Sequence, residues 1–250
     1  YGPLLAGCTT VVYEGKPIRT PDAGAFWRVC AEYGAKALFA APTAFRAIKK
    51  EDPDSELLKQ YDLSKLETVF MAGERLDPPT YHWTKDTLGK PVIDHWWQTE
   101  TGWAICGNLT GVETLEPKPG SSTVPVTGFN VQILDHEGNE LPNGEQGNIA
   151  LKLPLPPSCL PTVWGDFERF RTGYLSEFPG YYSSGDGGYK DEDGYVFIMG
   201  RTDDVINVAG HRLSTGEMEE IVADHPAVAE CAVIGINDPL KGQQPVGLVL

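Results

Sequence analysis

Hydrophobic and polar positions change rhythm twice along this chain, and those changes divide it. In the first third, short apolar runs alternate with stretches whose apolar residues recur every three or four positions. Residues 8–13 are short and β-branched, the pattern of a strand. Phe26, Val29, Cys30 and Tyr33 then fall at helical spacing. A second strand is predicted over 36–40, ended by Pro42, with Thr43 opening a helix that carries Phe45 and Ile48. Residues 66–71 read as a third strand, stopped by Ala72-Gly73. Asp77-Pro78 sets an N-cap residue before a proline at the first helical position, opening a helix toward Leu88. Residues 91–93 make a fourth strand. Strands alternating with helices predict a mainly parallel sheet flanked by helices.

After Asn108 the period drops to two and Pro and Gly become frequent, as at Pro117, Pro119, Gly120, Pro125 and Gly128. Residues 129–134 alternate and lead into a turn at 135–139; further strands are predicted over 146–153 and 195–199, with 154–161 a rigid proline-rich loop. The rhythm changes again at Gly200. Ser214-Thr215-Gly216-Glu217 has the capping-box spacing, and the helix behind it shows Met218, Ile221 and Val222 on one face and ends at His225-Pro226. Strands are expected over 228–234 and 245–250. The fold class is α/β: a parallel sheet flanked by helices over 1–110, an antiparallel β subdomain over 111–202, and the start of a small α+β C-terminal domain over 203–250, too short for a core of its own.

Composition narrows the partners. A net charge of −15 over 250 residues excludes the basic face that nucleic acid or an anionic membrane surface requires, though a few converging arginines can still hold a phosphate. No apolar run is long enough to span a bilayer. The five cysteines (Cys8, Cys30, Cys106, Cys159, Cys231) are scattered, with no metal-ligand spacing, which predicts reduced thiols in a cytoplasmic or mitochondrial-matrix compartment. The chain opens without Met and stops in an apolar segment, so a piece of a longer polypeptide is expected.

Four polar clusters carry more chemistry than folding needs. Asp94-His95-Trp96-Trp97-Gln98-Thr99-Glu100-Thr101-Gly102 puts an amide, hydroxyls and a carboxylate just beyond a strand end, where ligands bind in open α/β sheets. Ala72-Gly73-Glu74-Arg75 follows another strand; its plain reading is a turn with a surface ion pair. In Tyr181-Tyr182-Ser183-Ser184-Gly185-Asp186-Gly187-Gly188-Tyr189 a carboxylate among glycines can chelate a vicinal diol, although Gly-Asp-Gly-Gly is equally a good turn. Arg201 and Arg212 bracket Asp203-Asp204, a short apolar strand and the Ala209-Gly210 turn. Arginine forks suit phosphate and ribose oxygens, and a surface hairpin with salt bridges is the plain alternative.

The order and spacing of these clusters resemble the AMP-forming acyl-CoA synthetases of the adenylate-forming superfamily. Trp-Trp-Gln-Thr-Glu-Thr-Gly, then Ser-Gly-Asp, then Gly-Arg-x-Asp-Asp with a second Arg downstream carry the likeness. Asp-Val-Ile-Asn-Val-Ala-Gly-His-Arg-Leu, Tyr-Gly-Pro-Leu-Leu and Ala-Pro-Thr-Ala place it in the acetyl/propionyl-CoA synthetase branch. The resemblance implies a ligase that joins a short-chain acid to ATP as an acyl-adenylate and passes the acyl group to coenzyme A, with Mg²⁺. Its partners are then those small molecules and the rest of its own polypeptide, not nucleic acid or membrane.

Residue by residue, the resemblance implies that Gly73, Glu74 and Arg75 lie on the adenine segment, where Pro is more usual than Arg75. Asp94, His95, Trp96, Trp97, Gln98 and Thr99 would wrap adenine and the α-phosphate, with the Thr99 hydroxyl on a phosphate oxygen. Glu100 would hold Mg²⁺, Asp186 the ribose hydroxyls, Arg201 ribose and phosphate, and Arg212 the α-phosphate. Trp97 would wall off the acyl pocket, and Ala72, where acetate-using relatives carry Val, would leave room for propionate. Asp203 would be the hinge of a mobile C-terminal domain, and Ala209 would approach coenzyme A. His225 matches a structural metal position, beside the plainer reading of a histidine at a helix C-terminus. The family's triphosphate loop and its adenylation lysine have no match here, so little catalysis is expected of these 250 residues alone. The rival expectation is a truncated, non-catalytic module that binds adenylate or a partner.

Overall fold

Proline and glycine set the ends of the early elements, and apolar spacing sets what they bury. In the computed structural model, residues 2–202, 205–209, 211–223, 225, 227–228 and 231–250 are described. They fold as two compact units, Tyr1–Ile93 and Asp94–Leu250.

The first unit contains α1 (Gly2–Leu5), α2 (Ala25–Tyr33), β1 (Ala37–Ala40), α3 (Pro42–Glu51), β2 (Thr68–Met71) and α4 (Pro78–Leu88), and runs into β3 (Val92–Asp94). The strands lie in the order β1-β2-β3, with β1 and β2 parallel and Ala37 opposite Thr68. Helix α4 starts as its sequence predicts: the Asp77 carboxylate accepts the Thr80 N–H at 2.8 Å, and Pro78 needs no hydrogen bond at the first helical position. Helix α3 starts at Pro42 for the same reason, one residue before the expected Thr43. Trp27, Phe45, Ile48, Leu66, Val69, Met71 and Val92 form the core.

Two expectations for this unit need correction. Residues 8–13 form no strand and are mostly exposed, because β-branched residues realise their preference only against a neighbouring strand, and none of the described strands pairs with them. Helix α2 buries Ala25, Trp27 and Cys30, leaving Tyr33 at the surface: the Trp27 indole carries more apolar area than the face centred on Val29.

The second unit begins at the double Trp. Strands β4 (Trp96–Trp97), β5 (Ala104–Gly107) and β6 (Val124–Pro125) pair antiparallel. Next come β7 (Val131–Leu134), β8 (Gly147–Lys152), α5 (Phe167–Tyr174), β9 (Tyr181–Lys190) and β10 (Val196–Arg201), the strands forming an antiparallel sheet in the order β10-β9-β8-β7. Last are β11 (Val205–Val208), β12 (His211–Ser214), α6 (Thr215–Ala223), β13 (Cys231–Asp238) and β14 (Gly242–Val249), in the order β12-β11-β14-β13. Ile105, Cys106, Val131, Ile133, Ile149, Leu151, Tyr182 and Val196 anchor the core.

A parallel sheet followed by antiparallel sheets and an α+β end is the fold class that the sequence implies. The two compact units meet at 93/94, and β5 pairs with β6 across residue 110. The stretch 181–189, a turn on its plain reading, is instead strand β9. Its residues alternate between buried and half-buried, and a Cβ on Gly188 would lie 2.1 Å from the Phe197 carbonyl, so glycine there permits the approach of β10. The last hairpin is shifted: β13 starts at Cys231, not Val228. Helix α5 has no counterpart among the predicted elements. No disulfide joins the cysteines, and among the described residues no helix is long and apolar enough to cross a membrane.

Candidate functional site

In the second unit the double-Trp motif and β9 meet at Gln98. Its amide Nε2 donates to the Asp186 carboxylate at 2.7 Å and to the Ser184 carbonyl at 2.7 Å, while its Oε1 accepts the Tyr182 hydroxyl at 2.9 Å. Asp186 is directed there by a bulge. The β8 partners jump from Ile149 opposite Asp186 to Ala150 opposite Ser183, so Ser184 and Gly185 are extra residues in β9. Gly185 sits at φ 71°, and a Cβ there would lie 2.4 Å from the Arg201 guanidinium. Bulges of this kind re-aim a side chain beside a site.

Arg201 stands directly across from Asp186 on β10, its Nη1 3.5 Å from Oδ1 and donating to the Ser184 carbonyl at 3.0 Å. Asp186 is only 7% exposed. Burial pushes its carboxyl above the ordinary carboxylate range, while Arg201 and hydrogen bonds from Gln98 and Trp96 act in the opposite direction. The result is a carboxylate held by donors in a low-dielectric setting, able to accept the paired hydroxyls of a diol.

The turn after Gln98 is pinned from beneath. Thr101, fully buried, accepts the Gln98 N–H at 3.2 Å, and its hydroxyl reaches the Gln98 and Trp103 carbonyls at 2.9 Å. A Cβ on Gly102, at φ 64°, would come within 2.5 Å of the Ser158 carbonyl, and the Leu160 N–H donates to the Glu100 carbonyl at 2.7 Å. The proline-rich loop therefore braces the motif. Thr99 and Trp97 are left exposed on it, Trp97 by 42%. The half-buried Glu100 carboxylate accepts the Tyr174 hydroxyl at 3.1 Å. One such carboxylate fits Mg²⁺ carried on a phosphate substrate, because that ion commonly takes one or two carboxylates and keeps the substrate's oxygens and water for the rest. Among the described residues no group of three His, Cys, Asp or Glu could hold a resident ion.

Other expected site residues are less convergent. In the first unit, Ala72 is buried and Gly73 sits at φ 99°. The Glu74 carboxylate accepts the Thr43 N–H at 2.7 Å, binds the Thr43 hydroxyl and pairs with Arg46 at 2.6 Å; Arg46 also pairs with Asp77 at 2.9 Å. The ion pair thus joins this stretch to α3 through Arg46. Arg75 is half-buried. Asp94 ends β3, and the His95 Cβ would lie 3.3 Å from a Cβ at Gly107.

Beyond Arg201, a cavity of about 240 Å³ is lined by Arg201, Gly187, Gly200, Thr202, Val205 and Ser214. Asp203 lies outside the described residues. Arg212 faces Asn207 in the β11–β12 pairing, and its side chain lies outside the described set. Ala209 takes the left-handed conformation at φ 49° in the hairpin turn, its N–H donating to the Lys241 carbonyl at 2.7 Å. The His225 Nδ1 accepts the Ala227 N–H at 3.2 Å, the behaviour of a histidine closing a helix.

Three contributors were given no role of their own in the sequence: Thr101 and Tyr182, which lie inside two of the clusters, and Tyr174, which lies in none. Tyr182 has a legible signal, since its alternation with Ser184 along β9 places both on the buried face. Tyr174 has none, because α5 is joined to β9 only by tertiary packing.

Residues 1–155 match the family model described as AMP-binding enzyme, and residues 217–250 match that of the AMP-binding enzyme C-terminal domain. The chain is similar to an uncharacterised protein of Pseudomonas aeruginosa, 60% identical over all of this chain and 40% of that protein. It is 53% identical to the mitochondrial acyl-CoA synthetase short-chain family member 3 of Homo sapiens, over 99% of this chain and 36% of the relative. It is 49% identical to the propionate–CoA ligase of Escherichia coli, over 100% of this chain and 40% of the relative. It thus spans about two fifths of these relatives' length. Among solved structures, the anthranilate CoA ligase AuaEII in complex with anthranoyl-AMP matches with a TM-score of 0.80 at 30% identity, covering 97% of this chain and 44% of that one.

Proposed function

Because this chain belongs to the AMP-binding enzyme family, we propose that it serves the activation of a short-chain carboxylic acid with ATP. A carboxylate oxygen of the acid attacks the α-phosphorus, the bond to the β-phosphate breaks, and pyrophosphate leaves with its electron pair. The thiol sulfur of coenzyme A then attacks the acyl carbon of the acyl-adenylate and AMP departs. The observation that carries this reading is the buried Asp186 carboxylate, clamped by Gln98 with Arg201 beside it.

Within the reaction, Asp186 accepts the ribose hydroxyls, and Arg201 supports ribose and phosphate. The exposed Thr99 donates to an α-phosphate oxygen. Arg212 stabilises the charge that grows there during attack. Mg²⁺, when bound, offsets charge on the phosphates, and Glu100 is the residue that would hold it. Asp94, His95, Trp96 and Gln98 shape the wall against the adenine and phosphate, Gln98 with its amide turned to Asp186. Because the Glu74 carboxylate is engaged by Thr43 and Arg46, the adenine role of Gly73, Glu74 and Arg75 falls largely to backbone. Asp203 is the hinge between the two half-reactions, and Ala209 approaches coenzyme A. His225 is kept as a helix-closing residue in preference to a metal ligand.

The acid is propionate in preference to acetate. Trp97 limits chain length, and Ala72 in place of Val leaves room for about one methylene, worth roughly 1–3 kcal/mol. The likeness to a propionate–CoA ligase supports the same choice. The compartment is bacterial cytoplasm or mitochondrial matrix. The test is acid-dependent ATP–pyrophosphate exchange by the intact native polypeptide, with kcat/KM measured for both acids. We expect roughly tenfold preference for propionate; equal or better use of acetate overturns the substrate choice, and no acid-dependent exchange overturns the reaction.

A further inference from the structure

Two tyrosines that the proposed reaction leaves without a role join its two carboxylates. The Tyr174 hydroxyl donates to Glu100 Oε1 at 3.1 Å. Its ring stacks on that of Tyr182, with centroids 5.5 Å apart and planes 6° from parallel. The Tyr182 hydroxyl donates to Gln98 Oε1 at 2.9 Å, and Gln98 Nε2 donates to Asp186 Oδ2 at 2.7 Å. A continuous path therefore runs from the phosphate-side carboxylate to the ribose-side carboxylate.

The chemistry of each link is directional. An ionised carboxylate only accepts hydrogen bonds, so Asp186 needs the nitrogen side of the Gln98 amide. The Ser184 carbonyl takes the other Nε2 hydrogen at 2.7 Å. The amide oxygen is then turned toward the interior, where Tyr182, 1% exposed, supplies its hydroxyl. Without that hydroxyl the oxygen of the half-buried Gln98 would lose this donor, a cost that favours letting the amide swing out of register. The stack makes the two rings one rigid body: Tyr182 is fixed in β9, and Tyr174 ends α5. Tyr174 belongs to none of the four polar clusters, and Tyr182 stands in the 181–189 cluster without a role assigned to it.

We propose that the stacked pair Tyr174–Tyr182 is the positioning device of the nucleotide site. Tyr182 acts through Gln98 to hold Asp186 for the ribose hydroxyls, and Tyr174 holds Glu100 for the cation on the phosphates. This rests on the adenylate-forming reading above. Both act through their hydroxyls on Glu100 and Gln98, and both rings survive replacement by phenylalanine, which removes only the hydroxyl.

The experiment measures acid-dependent ATP–pyrophosphate exchange in the intact native polypeptide with ATP and with 2′-deoxy-ATP, and titrates Mg²⁺. Native protein should prefer ATP; if it exchanges but does not distinguish the two nucleotides, the ribose role of Asp186 fails, and this inference with it. Tyr182→Phe should raise the KM for ATP roughly threefold to tenfold, the scale of one hydrogen bond, and leave the KM for 2′-deoxy-ATP nearly unchanged. If Tyr182→Phe keeps the native preference for ATP, the positioning inference is overturned while the reaction stands. Gln98→Met should lose the same preference, and adding Tyr182→Phe to it should change nothing further; additive losses overturn the path through Gln98. Tyr174→Phe should raise the Mg²⁺ needed for half-maximal exchange with the ATP preference intact, and an unmoved Mg²⁺ requirement overturns its half of the proposal. If Tyr182→Phe does not fold, the Gln98→Met and Tyr174→Phe results decide in the same way.

Discussion

Gln98 shows how a residue's role depends on its environment rather than on its motif. The motif suggested contact with nucleotide; both amide hydrogens instead go to β9, and one of them fixes Asp186. Its removal should therefore depend on pH. The folded pKa of Asp186 is raised, chiefly by burial, so the stability attached to this group is full at acid pH and declines as pH climbs from the ordinary carboxylate value through the folded one. Gln98→Met removes a donor that opposes the shift, which raises that pKa further. The variant should lose about 1.5–3 kcal/mol near neutral pH and visibly less near pH 4, as read from urea unfolding at both. A loss independent of pH would mean that Gln98 supports only Ser184 and Tyr182. Gly185 is constrained twice, by φ 71° and by the Arg201 guanidinium, so Gly185→Ala should cost about 1–3 kcal/mol and weaken nucleotide binding together, checked by thermal melting and by titration with AMP.

At the level of elements, those with local stop and start signals were legible. Asp77-Pro78 placed α4 and Pro42 placed α3 within a residue. Asp77→Ala should remove the α4 cap and one of the two carboxylate partners of Arg46, costing about 1–2 kcal/mol in urea unfolding while leaving the Glu74–Arg46 pair in place. A loss below a few tenths of a kcal/mol would mean that Pro78 alone starts the helix. Elements whose existence depends on a distant partner were not legible. Residues 8–13 have strand composition and no strand, whereas the glycine-rich 181–190 has turn composition and is a central strand. Helix α5 carries Tyr174 to β9 without any periodic signal strong enough to announce it.

Across the whole molecule, the charge of −15 opposes the approach of a nucleotide that is itself anionic. The field reaches about 30 Å at 0.01 M ionic strength and about 8 Å at 0.15 M. The Kd of this 250-residue chain for AMP should therefore fall over that range, opposite to the trend for a protein with a basic binding face; a rise would show that local arginines dominate the long-range field. By itself the sequence determined the order of parallel, antiparallel and α+β regions, since hydrophobic period and capping residues act over a few positions. It also supplied the chemical inventory of the candidate site, because Asp186, Arg201 and Glu100 lie within recognisable clusters. Only the tertiary structure decided what those groups do to one another. The bulge at Ser184-Gly185 aims Asp186 at a glutamine 88 residues earlier in the chain, and a helix with no forewarning in the sequence brings Tyr174 against Tyr182. Hydrogen bonds and ring stacking have ranges of a few ångströms, so residues far apart in sequence acquire these partners only when sheet register and loop closure bring them within that distance.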